Sequence, residues 1–143
     1  MTRVDFYLLA GNDETARQLF TCRLAEKARQ LNNRLLIQTN DSEAGRSMDA
    51  ALWNFKIDSF LPHATSPASQ QIPIHIGWSD NNTPHHDLLI NLSDNIPKFF
   101  SQFSRVAEIV SQDEQQLAIS RQRYRFYQER GYEIKINDMK KST

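Results

Sequence analysis

The chain is poor in cysteine, in glycine and in charge of one sign, and each shortage excludes a class of function. Cys22 is the sole cysteine, so no internal disulfide can form and no thiolate cluster can hold zinc. Such usage suits a reducing compartment, and the cytoplasm is the expected location. Seventeen basic side chains balance seventeen acidic ones, leaving no net field to draw the molecule onto nucleic acid or an anionic membrane. Charge-driven contacts must be local. The opening segment, residues 1–10, has its apolar run interrupted by Asp5. It is too short and too polar for a signal peptide or a membrane span, so neither export nor a membrane partner is expected.

What is present reads as one α/β domain over residues 1–143, a length that can bury roughly two thirds of the unfolded surface. Residues 4–9 are rich in strand formers and end at Gly11-Asn12-Asp13, a turn with helix-capping residues. A helix then runs to about Asn32, with Ala16, Phe20, Leu24, Ala28 and Leu31 as its apolar stripe and Arg17 outside it. Residues 34–39 form a second strand, and Asn40-Asp41-Ser42-Glu43 resembles a capped start to a second helix that continues to about Trp53. Residues 63–71 are polar and aperiodic, hence a surface loop. Further strands are expected at 72–78, 87–92 and 105–111, with a short helix at 97–103 and a last helix from about Asp113 to Arg130, stopped by Gly131. Short strands alternating with helices give a three-layer domain, a mostly parallel sheet between helices, Rossmann-like in outline.

The Rossmann outline invites a nucleotide at the first turn, yet residues 9–14 offer one glycine, no lysine and two carboxylates. The fold is therefore read as lacking a phosphate-binding loop, and no cofactor is expected. His85-His86-Asp87 is the best metal-ligand cluster, but neighbouring residues at a strand entrance point to opposite faces, and a solvated loop is the better reading. Cys22 has no catalytic partner in the pattern and reads as a packing residue. No catalytic residues are assigned.

Two segments stand out. Trp53 closes the second helix, and Phe60 and Pro62 follow where regular structure stops, giving either core residues or hydrophobic anchors for a partner. The second, residues 120–130, is a basic and aromatic stretch of the last helix. At about 100° per residue, Arg121, Tyr124, Arg125 and Gln128 share a face, with Ile119, Arg123, Phe126 and Arg130 opposite. Ile119 and Phe126 are the expected core pair, which leaves Tyr124 outside between two arginines. The face reads either as solvated surface or as a seat for an acidic peptide with an apolar end.

At these segments, and at VDFYLL (4–9), PIHIGW (73–78) and DLLINL (87–92), the chain resembles the chi subunit family of bacterial DNA polymerase III. The resemblance implies a non-catalytic adaptor that joins the psi subunit, and through it the clamp loader, to the C-terminal tail of single-stranded DNA-binding protein. DNA would be contacted only indirectly. By the same resemblance, psi-binding falls to Trp53, Phe60 and Pro62, and tail-binding to Arg121, Tyr124, Arg125 and Gln128. A helicase-like repair protein is a further partner for the psi surface. One departure is Leu117, which stands where a well-known relative carries a basic residue one turn before the arginine; either the tail pocket is weaker here, or Arg105 or Arg123 supplies the charge instead. The rival reading is direct binding of single-stranded nucleic acid by the basic and aromatic helix.

Overall fold

Segments whose side chains are apolar on both faces can only sit inside a sheet covered on both sides, and two strands of this kind form its centre. The computed structural model describes residues 2–55, 63–64, 72–79 and 85–140. In chain order these hold β1 (Arg3–Leu8), α1 (Glu14–Gln30), β2 (Leu35–Gln38), α2 (Ser42–Asn54), β3 (His63–Ala64), β4 (Ile74–Gly77), β5 (Leu88–Asn91), a 3-10 turn (Phe100–Gln102), β6 (Arg105–Val110), α3 (Glu114–Glu129) and β7 (Glu133–Asp138). The strands form one sheet in the order β3-β4-β2-β5-β6-β1-β7. Every pairing among the described residues is parallel.

Alternate side chains of the central strands feed two cores. Leu35 and Ile37 of β2, with Leu88 and Ile90 of β5, pack under α1 and α2 beside Cys22, Ala25, Met48 and Leu52. Leu36 and Leu89 point the other way, joining Val4, Phe6, Phe100, Phe103 and Tyr127 beneath α3. The three-layer α/β arrangement expected from the sequence is thus the observed one.

Each helix opens on an aspartate whose carboxylate accepts a backbone N–H three residues on: Asp13 from Ala16, Asp41 from Ala44 and Asp113 from Gln116. The turn after β1 is pinned to the loop after β6, Gln112 donating its backbone N–H to Gly11 O (2.8 Å) and its side-chain amide to Leu9 O (2.9 Å). Gly131 takes a φ of +78°, the left-handed stop that glycine accepts at low cost.

Several expectations need correction. The stripe of α1 is rotated: Arg17, Thr21, Cys22, Ala25 and Ala28 are buried, while Leu31 is exposed. Arg17 goes inside because its guanidinium caps strand ends, donating to Ile109 O and Leu92 O and pairing with Glu14. His85 is buried rather than solvated, its Nε2–H donating to Ile72 O. His86 stays exposed, edge-on to Phe103. Residues 63–64, read as loop, form β3; the remainder of that stretch lies outside the described residues. The edge strand β7 was not anticipated, and the expected short helix is one 3-10 turn.

Candidate functional site

The last helix turns on a buried charge cluster. Glu108 points from β6 into the core beneath α3, where a lone carboxylate would be costly. It accepts from Arg123 Nη1 (2.6 Å), Tyr127 Oη (2.7 Å) and Asn91 Nδ2 (3.1 Å). Arg123 also donates to Ser93 O. Burial, then the negative charge of Glu108, pushes the Tyr127 hydroxyl far above the ordinary tyrosine range, so it stays a donor. The core pair of α3 is therefore Arg123 and Tyr127. Ile119 and Phe126, expected in that role, are only half-buried flanks.

With Arg123 and Tyr127 held inward, geometry leaves the opposite side of α3 outward. Arg121, Arg125 and Gln128 are exposed there, and Tyr124 sits at the margin, 36% exposed, its ring 6.0 Å from that of Phe6. Neither Arg121 nor Arg125 forms an ion pair among the described residues. The four residues expected to act together are thus on one face. Ile136 of β7 is paired in register with Phe6 and is 48% exposed, so it lies on the same side of the sheet as Tyr124. Reading the sequence missed it because β7 itself was missed.

The two cations proposed to replace the charge absent at Leu117 are already committed. Arg123 is sealed against Glu108, and Arg105 grips Asp5 (2.8 Å) on the α1 side of the sheet, away from α3. Leu117 itself packs against the core beneath α3.

At the end of α2, Trp53 is 58% exposed, which answers the choice between core and surface. Its indole packs on the His63 ring at 4.9 Å, and His63 Nε2 lies 3.0 Å from Asp49 Oδ1, one turn back on the same helix. Phe60 and Pro62 lie outside the described residues. Beside the end of α2 runs a groove of about 420 Å³ between α1 and α2, lined by Leu19, Cys22, Ala51, Asn54 and Phe55. Leu19 is 42% exposed and was not singled out from sequence; its signal was an apolar residue beside a stripe drawn one position off. Burial pushes the Cys22 thiol up to about 11, which keeps it protonated and inert near neutrality. Among the described residues no group of three or more His, Cys, Asp or Glu could hold a metal ion, and no helix is long and apolar enough to cross a membrane.

Residues 1–135 match the family described as DNA polymerase III chi subunit, HolC. The DNA polymerase III subunit chi of Pseudomonas aeruginosa is 37% identical over 134 residues, covering 94% of each chain. Those of Haemophilus influenzae and Escherichia coli are each 28% identical, over 137 and 142 residues, covering 94% of this chain and 95% and 96% of their own.

Proposed function

Because this chain belongs to the family of DNA polymerase III chi subunits, we propose that it is a non-catalytic adaptor of the polymerase holoenzyme. One surface, Trp53 with Phe60 and Pro62, takes the psi subunit and so the clamp loader, or a helicase-like repair protein in its place. The other, Arg121, Tyr124, Arg125 and Gln128, takes the acidic C-terminal tail of single-stranded DNA-binding protein. The observation that carries this reading is an exposed tyrosine on α3 flanked by two arginines that no carboxylate of the described residues neutralises. A guanidinium suits a tail carboxylate, and the ring offers an apolar side chain a surface at little entropic cost. Trp53 supports the psi contact, since large aromatics left in water are typical of interface anchors.

The test is fluorescence anisotropy with a labelled tail peptide and a scrambled control. A charge-assisted hydrogen bond is worth about 1.5–3 kcal/mol, so Arg121→Ala should weaken the peptide about tenfold or more, and Arg121→Glu further. Affinity should fall with salt, leaving a residual that Tyr124→Ala removes. Equal binding by wild type and Arg121→Glu, or tighter binding to naked single-stranded DNA than to the peptide, would refute the assignment.

A further inference from the structure

Neighbouring strands β2 and β5 send their chains to opposite faces. After β2 the chain enters α2, whose Met48 and Leu52 lie in the α1–α2 core; after β5 it reaches the 3-10 turn, whose Phe100 lies in the other. Where adjacent parallel strands part in this way, their loops separate and leave a crevice at the strand C-termini, the place where open α/β sheets receive ligands. Here the crevice is a cavity of about 600 Å³, within the range that holds small molecules. It is a different place from the β1 turn, which Gln112 closes.

The lining chemistry is specific. Trp78 supplies an aromatic wall, Gln38, Asn40 and Asn95 supply amides, Thr39 a hydroxyl, and Lys98 one ammonium, while no carboxylate is among the described lining residues. With so many polar groups the cavity does not suit an apolar helix. A π-face, amides and a single cation are what a nucleobase carrying one phosphate requires. The wall is also fixed in place. Trp78 presses so closely on Gly45 of α2 that a Cβ there would stand 2.4 Å from its Cε3 atom. Gln38 Nε2 donates to Ser79 O (2.9 Å), fixing the end of β2 to the segment after β4, and Asn40 Oδ1 accepts from Asp94 N (2.7 Å), a single bond that bridges the β2 and β5 loops at the rim of the crevice. Lys98 is exposed and forms no ion pair among the described residues.

We propose that this crevice binds a nucleoside monophosphate unit, its base stacked on Trp78, its edge read by the amides and its phosphate held by Lys98. No glycine-rich cradle is present to hold a second or third phosphate. The unit can come from a free nucleotide or from the end of a single strand.

The chain has two tryptophans, so a Trp53→Phe variant leaves Trp78 as the only indole reporter. Its fluorescence is titrated with the four deoxynucleoside 5′-monophosphates, the matching nucleosides, inorganic phosphate and a single-stranded trinucleotide. Saturable quenching by a monophosphate is expected, about tenfold weaker for the nucleoside and for Lys98→Ala. Arg121→Glu should leave it unchanged, which separates this site from the tail surface. A trinucleotide binding about tenfold tighter than the monophosphate supports a strand end as the source, and equal or weaker binding supports the free nucleotide. Absence of saturable quenching up to about 1 mM, or quenching indifferent both to the phosphate and to Lys98→Ala, would overturn the proposal.

Discussion

At the scale of single residues, the same chemical type does opposite work in different places. Arg123 and Arg121 stand two positions apart on α3, one sealed against Glu108 and the other in water. Arg123→Ala should lower stability by about 3 kcal/mol or more, because it strands a buried carboxylate, whereas Arg121→Ala should stay within about 0.5 kcal/mol. Urea denaturation of the two variants distinguishes them. Trp53, being largely exposed, belongs with Arg121. Trp53→Ala should keep the melting temperature within a few degrees while weakening psi about thirtyfold, the roughly 2 kcal/mol of an interface anchor. A variant that melts far below the parent would return Trp53 to the core. His85 gives a pH signature: burial, the largest influence, holds its imidazole below the ordinary range. The unfolded chain therefore takes up the proton first, so this stabilisation is complete above about pH 6.5 and is lost as pH falls below it. Stability measured from pH 8 to 5 should show that decline, and His85→Gln should flatten it.

At the scale of elements, what could be read in advance was whatever is decided locally. The last helix was legible because Asp113 and Gly131 mark its ends through their own backbone geometry. The central strands were legible because burial on both faces leaves runs such as residues 35–37 and 88–90 with no polar interruption. The roll of α3 was not, because it depends on Glu108, a residue on another strand that gives arginine a reason to be inside. Arg121, Tyr124, Arg125 and Gln128 still fall on one face, since helical periodicity fixes which residues share a face whatever the roll. The strand β7 escaped because Glu133 and Lys135 make an edge segment look polar, and only its pairing with β1 reveals it. As an edge strand it should also be the weakest: in native-state hydrogen exchange, amides of β7 should lose protection before those of β2 and β5. Equal protection across the sheet would contradict this.

At the scale of the whole molecule, α2 and α3 cover opposite faces of one sheet, so Trp53 and Tyr124 are separated by a packed core. Partners on these faces need not touch, since the sheet and its two cores lie between them. Saturating the chain with psi should change tail affinity by less than about twofold, read by calorimetry with and without psi. A larger change would reveal coupling through the sheet. Salt should separate the two as well, weakening the arginine-lined contact far more than the aromatic one.

The position of β1 also has a consequence in time. Its two neighbours begin at Arg105 and Glu133, so among the described strands β1 pairs with ones made about a hundred residues or more after it. At about 5–20 residues per second, a ribosome takes on the order of 10 s to reach them, and Val4 and Phe6 have no partner strand meanwhile. The chain therefore cannot display the outer face of α3 on a finished sheet until β6 and β7 have emerged, and a polypeptide released early has no such face to offer.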